Sequence, residues 1–340
     1  MYYFCKYILN TMILKRNIVF ITIILLLFSC SKKHEKKDFI LKGYVFGTTY
    51  KIVYLKGSKN YQKSIDSLFF LMNKSLSTYI PNSDISKINK GDTTIVVDDL
   101  FLEVFKKSKK IHKETNGYFD PTVGNLVNAY GFGPKREKKD LTVKEIKNQM
   151  QFVGLDKVTV VNKKVLKEYP EIYLDFNSIA KGFGIDVIAR FLEQKKIMNY
   201  LVEIGGEIRA KGSKKNNVPW SIKLVDPTNK NGAKGFKEIN LSNKSMATSG
   251  NYRKFRLAKT GQKFVHTINP KTGFAKESNL LSASVIAKKD CADLDAYATA
   301  FMAMGLKKTK SFLETNTNLQ VLLIFENSKG IIEEFSTYKN

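Results

Sequence analysis

Asp295 and Thr299 stand four apart in Asp290-Cys-Ala-Asp293-Leu-Asp295-Ala-Tyr-Ala-Thr299, so a helix through this segment puts a carboxylate and a hydroxyl on one face. Alanines and other apolar residues surround the pair, and an unpaired carboxylate in such surroundings is expensive. Oxygen ligands with no His or Cys beside them suit Mg²⁺. A capping or salt-bridged aspartate fits the same segment, because lysines are abundant.

A second chemistry-bearing segment is Leu174-Asp175-Phe-Asn-Ser178-Ile-Ala-Lys181-Gly182-Phe-Gly184-Ile-Asp186, read as a strand handing over to a helix. The first turn of a helix offers free backbone N–H groups, a natural seat for a pyrophosphate, and Lys181 adds a point charge there. Gly182 and Gly184 each cost roughly 1 kcal/mol inside a helix relative to Ala, which close approach of a ligand or another element would explain. The alternative is an N-cap at Asn177 or Ser178 with glycines that only pack tightly. The stretch from Gly117 to Pro134 is rich in turn residues; it is either a surface loop or a place where an aromatic and Asp120 hold a purine. His266, entering the turn Asn269-Pro270-Lys-Thr272-Gly273, is placed to accept a proton or to touch a phosphate, although a lone histidine is more often structural.

The elements that must carry these residues follow from apolar periodicity. Residues 44–55 read as one strand; helices fit 60–75, 98–113 and about 143–152; 173–195 reads strand, turn, helix. Many short strands with turn signals fill 199–288, a helix over about 291–304 stops at Gly305, and strands at 319–326 and 330–336 close the chain. Helices interrupt the strands without strict alternation, which predicts an α+β fold.

The chain has 340 residues, 57 Lys+Arg against 31 Asp+Glu, a formal net charge of +26 and 43% hydrophobic residues, an ordinary globular composition that argues against wholesale disorder. Three cysteines (Cys5, Cys30, Cys291) and three histidines (His34, His112, His266) are too few and too scattered for a disulfide framework or a multi-His metal centre. The charge invites a nucleic-acid reading, but the lysines are spread through all elements and no nucleic-acid-binding signature or GxxxxGK[ST] motif is present. Lys15 and Arg16 precede an apolar run over residues 18–28, about half of what a transmembrane helix needs. This reads as a signal peptide over 1–29, ending at Leu27-Phe-Ser-Cys30 like a bacterial lipoprotein cut before a lipid-modified Cys30; an uncleaved anchor or a plain signal peptide is the alternative. Met12 is a possible start, and loss of Lys6, Lys15 and Arg16 would take the charge from +26 to +23. Residues 30–39 read as a flexible tether and 40–340 as the working domain. Cys291 is then the one remaining thiol, inert if buried.

Together the segments resemble the ApbE family, the FAD:protein FMN transferases. The resemblance is carried by Phe46-Gly-Thr-Thr, Leu76-Ser-Thr-Tyr79, Ser83-Asp-Ile-Ser-Lys-Ile-Asn89, Phe119-Asp-Pro-Thr-Val-Gly, Asp175-Phe-Asn-Ser-Ile-Ala-Lys-Gly, Gly205-Gly-Glu-Ile-Arg, Met246-Ala-Thr-Ser-Gly250, His266-Thr-Ile-Asn-Pro-Lys-Thr-Gly and Asp295-Ala-Tyr-Ala-Thr299. It implies mixed or antiparallel sheets with helices and an FAD cleft between subdomains. It also implies a Mg²⁺-dependent enzyme that takes FAD as substrate, passes FMN to a Thr or Ser of a partner protein as a phosphoester and releases AMP. By resemblance, Asp295, Thr299 and the Ser178 carbonyl hold the metal. FAD contacts map onto Phe46, Tyr79, Tyr118, Phe119, Asp120, Asp175, Lys181 and Ile268, and His266 joins Asp295 in catalysis. Two positions depart from the family pattern: Asn177-Ser178 replaces a pair of small glycines, and Asn269 replaces an aspartate. An FAD pyrophosphatase and a non-catalytic flavin-binding lipoprotein are the alternatives. The lipoprotein signal implies a membrane-anchored protein facing the periplasm or cell exterior.

Overall fold

The computed structural model describes Met12 and residues 36–134, 140–225, 235–251, 255–257, 263–275 and 278–339. The chain divides into residues 1–36 and 37–340; apart from Met12 the signal-peptide assignment, and with it Cys30, lies outside the described residues. Among the described residues no helix is long and apolar enough to cross a membrane.

In chain order the elements are β1 (Lys37–Val45), β2 (Thr48–Gly57), α1 (Gln62–Leu76), α2 (Asp84–Asn89), α3 (Asp99–Glu114), α4 (Gly124–Ala129), α5 (Val143–Met150), β3 (Val158–Val161) and β4 (Lys164–Lys167). Then follow α6 (Ala180–Gln194), β5 (Tyr200–Ile204), β6 (Glu207–Lys211), β7 (Trp220–Val225), β8 (Gly235–Leu241), β9 (Lys244–Gly250), β10 (Phe255–Leu257) and β11 (Lys263–Val265). The last are β12 (Leu280–Ala287), α7 (Cys291–Thr315), β13 (Gln320–Glu326) and β14 (Ile332–Ser336). Eight strands form one sheet in the order β1-β2-β5-β6-β9-β12-β13-β14, and every neighbouring pair is antiparallel. This is the α+β class.

Five helices (α1, α3, α5, α6 and α7) form where the sequence predicts them, and local chemistry fixes the starts of α3 and α5. Asp98 caps α3 by accepting from Phe101 N–H at 2.9 Å, and Phe101, Val104, Phe105 and Ile111 form its buried face. Thr142 and Glu145 make a reciprocal capping box on α5. The central strand β12 is buried along nearly its whole length, as a strand with both faces covered must be.

Several local expectations change. Residues 44–55 are two strands of a hairpin, because Phe46 and Gly47 both take positive φ (51° and 75°) and turn the chain. β1 begins at Lys37, so residues 37–39 of the expected tether are paired strand. Tyr173 makes only an isolated parallel bridge to Val123 rather than a strand. The loop after Gly117 contains the short helix α4. Gly305 (φ 75°, ψ 174°) does break α7, yet helix resumes beyond it to Thr315.

Among the described residues the core has three parts: a main cluster under α1, α3, α6 and α7, a smaller one around Leu126, Tyr130, Ile146 and Ile268, and a third around Ile208, Trp220, Ile239 and Met246.

Candidate active site

A cavity of about 1120 Å³ opens where the three cores meet, with walls from Phe46 and Leu76 of the first, Phe132 and Ile268 of the second, and Ile208 and Met246 of the third. Its volume is at the upper end of small-molecule sites and its walls are largely apolar with a few convergent polar groups. Every residue assigned above to catalysis, the metal or FAD lines it: Phe46, Tyr79, Tyr118, Phe119, Asp120, Asp175, Ser178, Lys181, His266, Ile268, Asp295 and Thr299.

The polar end is built by α6 and α7. No side chain from its own flank caps α6; Ile179 holds the N-cap position. Instead Asp295, reaching across from α7, accepts from Gly182 N–H at 3.1 Å through Oδ2. The helix start expected to hold an anion therefore already holds a carboxylate, which suits the positive end of the helix dipole. The two helices come this close because Gly182 lacks a side chain: a Cβ there would lie 2.4 Å from the Cys291 carbonyl oxygen. Gly184 likewise makes room, here for the Phe46 ring, which would meet a Cβ at 2.7 Å. Phe46 holds its left-handed backbone against Gly184 and edge-on to Phe69.

Asp295 is 1% exposed, and burial pushes its carboxyl up against the opposing pull of Lys181. Its Oδ1 lies 3.7 Å from Lys181 Nζ, which is itself 3.3 Å from Glu207 Oε1. Burial alone would lower the Lys181 ammonium, but Asp295 and Glu207 more than offset that and hold it above its ordinary value. Glu207 is pushed up to about 8, by burial first and by Asp295 second, with Lys181 opposing. Thr299 presents Oγ1 to the same space, 3.3 Å from Ser249 Oγ. Ser178 lies just ahead of α6 in the cavity wall.

Asp295 and Thr299 offer a hard cation one carboxylate oxygen without a close hydrogen bond and a hydroxyl, both oxygen donors. Among the described residues there is no cluster of three or more His, Cys, Asp or Glu suited to a metal. A hard cation here would need oxygen donors beyond those the protein supplies.

The remaining candidates divide into wall and scaffold. Tyr79, 53% exposed, reaches the Phe132 carbonyl with its hydroxyl at 3.4 Å. The Tyr118 ring lies under Lys308 (4.8 Å) and Lys271 (6.0 Å), and Lys308 donates to its hydroxyl. Asp120 uses its carboxylate on the chain itself: Oδ1 accepts from Thr122 N–H and Oγ1–H, and Oδ2 from Leu155 N–H at 3.1 Å. It shapes the loop that presents Phe119. Asp175, raised by burial, accepts from Asn177 N–H at 2.8 Å. His266 sits at the wall with its ring edge-on to Phe132. Asn269 does the work of a turn residue, accepting from Lys271 N–H at 2.9 Å, while its amide donates to the Ala303 carbonyl at 3.4 Å.

Glu207, in the run Gly205-Gly-Glu-Ile-Arg, has no role that the sequence alone reveals, because nothing local marks it as buried beside a lysine. Arg209 of that run ties Asp186 (2.6 Å) to Asp290 (2.7 Å) behind the site. Cys291 is fully buried, its thiol pushed well up by desolvation, and so is inert.

Comparison with known proteins gives a consistent result. The model of the ApbE family matches residues 46–323. The Haemophilus influenzae protein named FAD:protein FMN transferase is 36% identical over 335 residues, covering 94% of this chain and 95% of its own length. Its Vibrio cholerae counterpart of the same name is 35% identical, covering 92% and 95%. The solved flavin transferase ApbE from Vibrio cholerae superposes with a TM-score of 0.78 at 33% identity, over 88% of this chain and 97% of that one.

Proposed function

The chain belongs to the ApbE family, and from that premise we propose that it is an FAD:protein FMN transferase that needs Mg²⁺, passes FMN from FAD to a Thr or Ser hydroxyl of a partner protein and releases AMP. The observation that carries this reading is the convergence of every candidate residue on one cavity, with Asp295, Lys181 and Thr299 at its polar end.

Asp295, Thr299 and the Ser178 carbonyl would hold the metal. Bound there, Mg²⁺ would neutralise charge on the pyrophosphate oxygens. Lys181 adds a fixed positive charge at the same end, in a site where burial strengthens it. The apolar walls at Phe46, Phe119 and Ile268 accept flat ring systems and exclude water from them. The acceptor hydroxyl oxygen bonds to the flavin-side phosphorus as the bond from that phosphorus to the bridging oxygen breaks. The bridging oxygen leaves with AMP, and His266 takes the hydroxyl proton. Positioning and charge neutralisation supply most of the rate.

The test is to mix the protein with FAD, Mg²⁺ and a Thr-bearing flavoprotein subunit. A fluorescent protein band on a denaturing gel is expected; free FMN and AMP with no labelled band, or intact FAD, would overturn the proposal. Anchoring through Cys30 in a membrane facing the periplasm or cell exterior is part of the same proposal, supported by Lys15-Arg16, the apolar run and Leu27-Phe-Ser-Cys30. Labelled fatty acid should enter the protein and fail to enter Cys30→Ser.

A further inference from the structure

We infer that Glu207 is a positioning residue for Asp295, holding the Lys181 ammonium outside hydrogen-bond reach of Asp295 Oδ1 and so leaving that oxygen open to a hard cation. The inference rests on the reading of Asp295 as the cation's ligand.

Three elements that are distant in sequence bring these groups together. Lys181 is in the first turn of α6, Glu207 opens β6, and Asp295 is on α7. The positions of Asp295 and Lys181 are both constrained. Asp295 Oδ2 is bound by Gly182 N–H, which sets the carboxylate's orientation and turns Oδ1 toward Lys181. The Lys181 stem passes Gly205, whose absent Cβ would lie 3.4 Å from Lys181 Cδ. The ammonium then divides unequally, 3.3 Å from Glu207 Oε1 and 3.7 Å from Asp295 Oδ1. Glu207 is the nearer of the two ion-pair partners, and the Asp295 contact is too long for a hydrogen bond. Glu207 is 3% exposed, and its Oε2 is buried with no hydrogen-bond partner among the described residues. A buried carboxylate oxygen without a partner is costly, so its place beside Lys181 calls for a reason.

Without Glu207 the ammonium would have one buried carboxylate to turn to. On Asp295 Oδ1 it would occupy the lone pairs a cation needs and place a positive charge beside that cation. Glu207 prevents this collapse, and it does so whether charged or neutral, since either form offers Lys181 an accepting oxygen.

The test is Mn²⁺ binding to the full chain without FAD, followed by the spin-resonance signal of free Mn²⁺, with thermal melting in parallel. Glu207→Ala should weaken binding about 10- to 100-fold, whereas Glu207→Gln, which keeps an acceptor for Lys181, should bind close to wild type. Adding Lys181→Met to Glu207→Ala should restore binding, because nothing is left to fall onto Oδ1. A double variant as weak as Glu207→Ala would make Glu207 a direct ligand and overturn the inference. So would a Glu207→Ala protein that binds Mn²⁺ like wild type. If Glu207→Ala does not fold, Glu207→Leu fills its space without offering an acceptor and should show the same loss. Asp295→Asn separates the underlying reading: if it binds Mn²⁺ as wild type does, the ligand assignment fails, and this inference with it.

Discussion

Gly182 and Asp295 are joined by a hydrogen bond of 3.1 Å across 113 residues of sequence, and this bond ties the start of α6 to the face of α7. A methyl group at position 182 would press into the Cys291–Ala292 backbone. Gly182→Ala should therefore cost about 1–3 kcal/mol through overpacking and tilt Asp295 away from the cavity. A lowered melting temperature together with lost turnover is expected; full activity at wild-type stability would contradict the packing described.

Asp295→Asn keeps the shape and removes the charge. Turnover should fall by about 100- to 1000-fold, the loss typical of a removed electrostatic stabiliser, and should no longer respond to added Mg²⁺. FAD binding, followed by flavin fluorescence quenching, should largely survive because the apolar walls are untouched.

His266→Ala should lower kcat by about 100- to 10,000-fold if the ring takes the acceptor's proton, with little change in KM for FAD. A raised KM at unchanged kcat would instead make His266 a binding residue only.

The pH dependence of stability follows from Glu207. Its folded-state carboxyl is pushed up to about 8 from an ordinary value of 4.5. The folded protein thus holds a proton that the unfolded chain has released, so stability from this group is present below about 4.5 and is lost as pH rises through about 8. Glu207→Gln cannot lose that proton. Its melting temperature relative to wild type should rise between mildly acidic and mildly alkaline buffer, and a constant difference would refute the shift.

Arg209→Ala leaves Asp186, a fully buried carboxylate, without its guanidinium partner. Breaking such a pair costs about 3–5 kcal/mol. Denaturant unfolding should show that loss, and Asp186→Asn in the same chain should recover part of it.

The sequence by itself determined the pieces that depend on neighbours in the chain. Apolar spacing marked α1, α3 and α5, and the four-residue step put Asp295 and Thr299 on one helical face. The order of the motifs from Phe46-Gly-Thr-Thr to Asp295-Ala-Tyr-Ala-Thr299, none decisive alone, carries the family resemblance. Local reading failed where local preference is overridden. Phe46 is a strand-favouring aromatic, yet it occupies a left-handed turn because Gly184 and Phe69 receive its ring. The α4 helix was hidden in a stretch whose glycines and prolines signal loop. Tertiary structure alone decided who partners whom at the polar end of the cavity. Sheet order β5-β6-β9-β12 carries Glu207 toward α6 and α7, which supply Lys181 and Asp295. No periodicity encodes that meeting, because a charge buried among residues far apart in sequence acquires its partners, and its altered proton affinity, only once the chain has closed around it.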